Sequence, residues 1–370
     1  MLGRSRARRL ALGLALLVGG GLGAVVPAPV AASALPRGAS GLPRAPSGLP
    51  RASSGLPRAS SGLPEAPRCV VFPRDNPWNQ RVDRQPVARG SAKLIAAIGL
   101  GSPVHPDFGS GSYDGAPIGI PYAVVSRHTR RVPVRFEYAS ESDRGPYPIP
   151  PGVPIEGGRG STGDRHVIVV DRDSCRDYEL FAAYPLDGGR RWRAGSGAIF
   201  DLRSDRLRPA GWTSADAAGL PILPGLARYD EVRRGAIDHA LRFTAPCTAR
   251  RYVYPARHYA PTCLLCARHP ASPDRAAHRS SGCRAGPYPP MGLRVRLRAS
   301  VDISGLPYQA RVVAQALKRY GMILADNGSP WFISGAPNRG WNNDALHLLD
   351  RLHGHDFEVV DTRSLPHPGL

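Results

Sequence analysis

Proline and glycine break this chain so often that almost no run between them is long enough for anything but a short strand or turn: 39 prolines and 42 glycines are spread over 370 residues. Between the breaks lie runs rich in Val, Ile, Phe or Tyr: "GIPYAVVS", "RVPVRFEYA", "DRHVIVVDR", "DYELFAAYP", "GSGAIFDLR", "HALRFTA", "RRYVYPAR", "MGLRVRLRASVDI", "MILADNGS", "WFISGAP" and "FEVVD". Such runs, bounded by Gly, Pro, Asp or Ser, read as strands. In "RVPVRFEY", Val132, Val134, Phe136 and Tyr138 alternate with Arg135 and Glu137, which describes a strand with one wet face, as antiparallel sheets allow. Leu293, Val295 and Leu297 alternate with arginines in the same way.

One long stretch has a helical period. In "LPYQARVVAQALKRYG", Leu306, Ala310, Val313, Ala314, Leu317 and Tyr320 form an apolar stripe, Ser304 or Gly305 can cap it, Pro307 falls in its first turn and Gly321 ends it. "SAKLIAAIGL" and "NDALHLLDRLHG" read as shorter helices. The pattern predicts a mainly β protein: an antiparallel sandwich or jelly-roll-like core with a few late helices packed on one side.

The N-terminal region has a different character. "MLGRSRARRLALGLALLVGGGLGAVVPAPVAASA" places four arginines before an apolar run that ends in small residues, with Ala32, Ser33 and Ala34 as the cleavage site of a secretory signal peptide over residues 1–34. A retained anchor is the rival, but glycines and prolines interrupt the run after Val18 and no other stretch is apolar enough to cross a bilayer. Residues 35–68 repeat with a period of seven, as in "GLPRASS"; a proline in every unit forbids a coiled coil and marks a Pro/Ser/Gly linker. A single folded body is expected from Cys69 to Leu370, with a cysteine-containing insertion at about 261–287.

The chain carries a net charge of +20; residues 1–68 hold nine arginines and one acid (9 − 1 = +8), which leaves +12 on the body. No aromatic RNA-binding pattern, helix-turn-helix or compact basic cluster accompanies that charge, so nucleic acid is not an expected partner, whereas an acidic glycan or wall polymer would suit it. Six cysteines in an exported chain favour disulfides. Cys263, Cys266, His269, His278 and Cys283 also offer zinc-type ligands, but the second half of that segment lacks a paired ligand motif. No cofactor or metal is expected, and the protein is expected to be a monomer outside the membrane once its leader is cut.

Nine stretches have a further significance: "FPRDNPWN", "HPDFG", "SDRGPYPIP", "STGDRHVIVVDRDSC", "GSGAIFDLRS", "RPAGWTSADAAGLPILPGLARYDEV", "PARHYA", "PPMGLRVRL" and "YGMILADNGS". Together they resemble a family of secreted proteins of actinobacteria and other soil microbes, over about residues 69–361. The resemblance implies secretion and a single-body architecture but brings no activity. It also implies a shorter, cysteine-free passage from "PARHYA" to "PPMG", which places Cys263, Cys266 and Cys283 in an insertion.

Candidate chemistry centres on the loop Arg208 to Val232. It is too long to be a simple connection and too apolar and aromatic to be disordered. Glycosidic hydrolysis needs two carboxyl groups, about 5–5.5 Å apart for retention or about 6.5–9.5 Å for inversion. Asp216 is the first candidate, with Asp201 or Glu231 as its partner; Trp212 and Tyr229 would be sugar platforms and Arg228 a binding residue. Substitution of Asp216 by Asn would then abolish activity and leave the melting temperature nearly unchanged. A second set, His166, His258 and Tyr259, with Arg257, would suit a lyase that removes the proton beside a uronate carboxylate. In the plainer reading of each residue, the acids cap turns or pair with arginines, Trp212 is core, and the histidines are hydrogen-bonded at strand ends. Asp326, in "ADNGS", reads as part of a turn that could also present a carboxylate. The function expected is a secreted glycoside hydrolase acting on extracellular polysaccharide, against a polysaccharide lyase or a non-catalytic wall-binding protein.

Overall fold

The computed structural model describes residues 62–260, 263 and 287–370. The signal sequence, nearly all of the repeat, and Cys266, His269, His278 and Cys283 lie outside the described residues.

Among the described residues, fifteen strands follow in chain order: β1 (His105–Asp107), β2 (Ser112–Tyr113), β3 (Ala116–Pro117), β4 (Tyr122–Val125), β5 (Val134–Phe136), β6 (Val167–Asp171), β7 (Arg176–Phe181), β8 (Tyr184–Leu186), β9 (Arg191–Ala194), β10 (Ser196–Asp201), β11 (Leu241–Ala245), β12 (Arg294–Leu297), β13 (Met322–Asn327), β14 (Phe332–Ser334) and β15 (Phe357–Val359). The fold is mainly β, as the punctuation predicts. "RRYVYPAR" is the exception among the expected strands: it makes only an isolated bridge, Tyr252 to Met291. "DYELFAAYP" is split into β7 and β8 where Ala182 takes a left-handed conformation.

The sheets are not purely antiparallel. The largest has the order β1-β14-β11-β13-β12-β15, and within it β1/β14 and β11/β13 run parallel. The second has the order β10-β7-β6-β4, with β4/β6 parallel, and the third is β5-β9-β8, with β5/β9 parallel. Each parallel pair joins strands distant in sequence, a pairing that local alternation does not encode.

The β10-β7-β6-β4 sheet separates two apolar cores. All five residues of β6 are buried; Ile168 and Val170 enter the larger core, Val167 and Val169 the smaller one. The period-2 alternation of side chains makes this division possible. The larger core is completed by the apolar residues of the six-stranded sheet and by the helix Tyr308–Arg319. The predicted stripe of that helix, Leu306, Ala310, Val313, Ala314, Leu317 and Tyr320, is buried throughout. Its N-cap position is Pro307, later than Ser304 or Gly305 would require, and Gly321, at φ +64, follows it. The smaller core lies between β6/β7 and the β5-β9-β8 sheet, where the Tyr147 ring meets Phe136 and Tyr178 edge-on.

The folded body starts earlier than Cys69. Leu63 is fully buried and Ala66 nearly so, and tight turns link Leu63, Ala66 and Cys69 through backbone bonds. The last repeat unit therefore belongs to the core, secured by the disulfide Cys69–Cys175. A second disulfide joins Cys247 to Cys263, so Cys263 is not available as a zinc ligand. No helix among the described residues is long and apolar enough to cross a membrane.

Candidate active site

The loop from Arg208 is shaped by its own side chains. The buried Arg208 guanidinium donates to the carbonyls of Thr213 (2.6 Å) and Glu141 (2.8 Å) and pairs with Asp143. Ser196 donates to the Ser214 carbonyl, and the Ser214 hydroxyl accepts the Asp216 N–H (2.9 Å) and reaches the Leu220 carbonyl. Gly219, at φ +69, is required for a close approach: a Cβ there would lie 2.6 Å from the Trp212 carbonyl oxygen. Farther along, Glu179 of β7 accepts the N–H groups of Ile222 and Leu223.

Ala218 pins this loop to two other segments. Its N–H donates to the Ala325 carbonyl of β13, and its own carbonyl accepts the N–H groups of Arg257 and His258. Ala325 is free to accept because the β11/β13 register shifts there: Phe243 faces Leu324, whereas Thr244 faces Asp326. Such a bulge re-aims the next side chain. The result is a cleft of about 470 Å³ whose walls include Asp216, His258, Glu141, Asp164, Tyr138 and Asp326.

Arg242, on β11, organises its charge. Its Nε and Nη2 donate to the two oxygens of Asp216 (3.0 and 2.8 Å), its Nη1 to Ser334 (2.6 Å), and Nη2 also reaches Asp326 (3.3 Å). The Asp216 side chain is fully buried, the Arg242 side chain 4% exposed and the Asp326 side chain 18% exposed. Burial, and then the adjacent Asp216 charge, raise Asp326 well above the usual carboxylate range, although Arg242 opposes this. Asp326 is therefore held toward its protonated form by its surroundings.

Two histidines frame the loop. His258 donates Nδ1–H to the Ala217 carbonyl (2.8 Å), which leaves Nε2 facing Glu141 at 3.9 Å. Glu141 also accepts the Thr213 N–H (3.2 Å). Tyr259 stacks on His258 and Tyr252. His166 is buried behind the cleft, with Nδ1 2.6 Å from Glu156 and Nε2 3.0 Å from the Ala215 carbonyl. Burial opposes its charge, but Glu156 outweighs this and pushes its pKa up to about 10. It is an imidazolium that holds the loop from below, a positioning residue with no access to a substrate.

Two of the expected catalytic acids lie elsewhere. Asp201 pairs with Arg203 and does not line the cleft. Ser196, at the other end of β10, does, and five extended residues place Asp201 roughly 17 Å farther on. Glu231 is buried in the short helix Tyr229–Arg234, paired with Arg228 and with His239 at 3.1 Å. Arg228 is committed to that pair, and the Tyr229 ring packs edge-on against Trp341. Trp212 is half-buried under the Arg208 guanidinium, one residue outside the cleft wall. The acids that do line the cleft with Asp216 are Asp326, Glu141 and Asp164. Tyr138, expected on an apolar strand face, is 48% exposed there.

The fold and the cleft thus define a mainly β protein with an arginine-braced acid pair at the base of an open groove. No protein-family model, curated protein or solved structure matches the chain.

Proposed function

We propose that this protein is a secreted enzyme that hydrolyses glycosidic bonds of extracellular polysaccharide, with Asp326 as general acid and Glu141 as general base. The observation that carries the reading is the inequality of two adjacent carboxyl groups in one cleft: Asp216 is fully buried and engaged through both oxygens by Arg242, while Asp326 is the more exposed of the two and its carboxyl is raised well above the usual range by burial and by the Asp216 charge. An enzyme that runs acid chemistry on a carboxyl group needs this separation of roles. Asp326 protonates the glycosidic oxygen as the bond to the anomeric carbon breaks. A water molecule attacks that carbon and gives its proton to Glu141, with His258 Nε2 beside it to receive the proton in turn. Solvent restores the proton on Asp326. Tyr138 and His258 line the cleft and offer ring faces to a sugar, whereas Tyr259, expected as a binding residue, stacks behind His258 and does not line it. Export rests on the N-terminal sequence, and the two disulfides among the described residues are in keeping with an oxidising compartment.

The lyase reading has less support, because Arg257, which would neutralise a uronate carboxylate, donates its Nε to the Arg208 carbonyl and does not line the cleft. The test is release of reducing ends from a panel of plant, fungal and bacterial wall polysaccharides by the wild type and by Asp326→Asn. Asn reproduces the shape of a protonated Asp, so the variant should keep its melting temperature while its rate falls about 10²–10⁴-fold. Full activity in the variant, or no polymer cleaved by the wild type, refutes the assignment. An unsaturated, ultraviolet-absorbing product would identify a lyase. Sedimentation with insoluble wall material that survives neutralisation of every cleft acid would identify a binder.

A further inference from the structure

We infer that His353, His355 and Asp356 form a binding site for a first-row divalent cation such as Zn²⁺, outside the cleft. One ring nitrogen of each histidine and one carboxylate oxygen of Asp356 lie within 4.8 Å of one another, a grouping found nowhere else among the described residues. None of the three lines the cleft around Asp326.

Hydrogen bonds orient both rings. Nδ1 of His353 is 3.0 Å from the Arg351 carbonyl, and Nδ1 of His355 is 3.2 Å from the Leu100 carbonyl. A carbonyl only accepts, so the Leu100 contact puts the hydrogen of His355 on Nδ1 and leaves its Nε2 a lone pair, while the His353 side chain also accepts the Asp356 N–H in a capping box that fixes its ring. Metal-binding histidines are oriented in this way, with one nitrogen donating to an acceptor while the other binds the ion. The two rings lie parallel within 8°, with centroids 5.4 Å apart. Asp356 uses Oδ2 to accept the His353 N–H (2.9 Å), and its Oδ1 stands 3.6 Å from His355 Nε2.

The backbone that carries these ligands is rigid. Gly354 N–H bonds the Ser102 carbonyl, His355 N–H the Leu100 carbonyl and Asp356 N–H the His353 carbonyl. A Cβ at position 354 would lie 2.0 Å from the Gly99 carbonyl oxygen, which itself accepts the indole N–H of the fully buried Trp331. The turn is thus docked on the segment 99–102 before any ion arrives. Ligands bound at about 2.1 Å lie at most about 4.2 Å apart, so small side-chain rotations close the site. Two imidazoles and one carboxylate suit zinc, copper or nickel; magnesium and calcium require oxygen donors. The His355 side chain is 61% exposed, so solvent reaches the ion and fills its remaining positions.

The test is calorimetric titration of the full-length, disulfide-bonded, chelator-treated protein with ZnCl₂, with MgCl₂ as control, in the wild type and in His353→Ala, His355→Ala and Asp356→Asn. The wild type should bind one more equivalent of zinc than either histidine variant, and magnesium should give no heat at this site. Asp356→Asn preserves the acceptor for the His353 N–H and should weaken zinc by about 10- to 100-fold or more. Taking the difference between proteins removes any zinc bound at other histidines or cysteines. Melting temperatures without metal identify any variant that has lost its fold, and Cu²⁺ electron paramagnetic resonance gives a readout that needs only one folded histidine variant: two coordinated nitrogens in the wild type and one in that variant. Equal zinc stoichiometry and affinity in the wild type and every folded variant, or no bound nitrogens in the copper spectrum, overturns the assignment.

Discussion

Replacement of Asp216 by Asn should both destabilise the protein and move the titration of its neighbour. The Asp216 side chain is fully buried and receives two hydrogen bonds from Arg242, whose own side chain is 4% exposed. Asn has nearly the same volume, so no cavity forms; the loss is electrostatic. A buried guanidinium loses its two-oxygen partner and is left with Ser334 and the more distant Asp326 (3.3 Å), and the new side-chain amide offers it one acceptor where the carboxylate offered two. Removing one partner of a buried pair costs about 3–5 kcal/mol. At roughly 2 °C per kcal/mol for a body of this size, the melting temperature should fall by roughly 6–10 °C in differential scanning calorimetry. This reverses the expectation drawn from the sequence alone, that the change would be silent for stability. The second effect concerns Asp326, whose carboxyl is raised by burial first and by the Asp216 charge next, with Arg242 opposing. In the variant the Asp216 charge is gone and Arg242 is free to pair with Asp326, so the Asp326 pKa falls and the alkaline limb of the activity profile shifts to lower pH. A melting temperature within about 2 °C of the wild type, less than the shift expected for even 1–2 kcal/mol, would refute the buried ion pair. A lowered melting temperature with an unmoved alkaline limb would instead refute Asp326 as the acid.

Two further outcomes test the scaffold. The His166 pKa in the folded protein is about 10, above its ordinary 6.5, so its pairing with Glu156 is fully stabilising below pH 6.5 and is lost as pH rises through about 10. The contribution is on the order of 5 kcal/mol, from about 1.4 kcal/mol for each tenfold gain in proton affinity; wild-type thermal stability should fall more steeply from pH 7 to 10 than that of His166→Gln, and parallel curves would contradict the imidazolium. Leu63→Ala should cost about 2–5 kcal/mol in a urea melt, because the side chain is fully buried in the larger core; no change in midpoint would mean that the repeat reaches Arg68 as a free linker.

Local patterns are readable where a residue's neighbours in sequence are also its neighbours in space. The stripe of the helix Tyr308–Arg319 follows from its 3.6-residue period, and β6 reads as a strand because "VIVV" offers a branched apolar side chain to each face. The same signal is silent on direction. β11 and β13 each read correctly as strands, yet nothing within either run says that they pair in parallel, with β12 on the far side of β13. Repetition misleads at the linker boundary: "GLPEAPR" continues the heptapeptide pattern, but its Leu63 and Ala66 pack under the segment held by Cys69–Cys175, a contact made across 106 residues.

The acids show why a site is harder to read than a strand. Asp216 stands out in the sequence because it lies in a stiff polar loop, and the loop does wall the cleft; its burial depends on Arg242, 26 positions later, for which the strand run "HALRFTA" gives no hint of an inward-facing charge. Asp201 and Glu231 are close to Asp216 in sequence, the wrong measure on a strand, where five residues span roughly 17 Å. Asp326 is visible in the sequence only as a turn residue. What sets it beside Asp216 is the bulge at Ala325, which frees a carbonyl for the Ala218 N–H and brings the loop that carries Asp216 against the end of β13. One backbone bond between distant segments of the chain therefore creates the juxtaposition on which the Asp326 proton depends. A change that disturbs that bond, such as a side chain at Gly219, where a Cβ would meet the Trp212 carbonyl oxygen at 2.6 Å, should alter the pH dependence of activity without touching an acid.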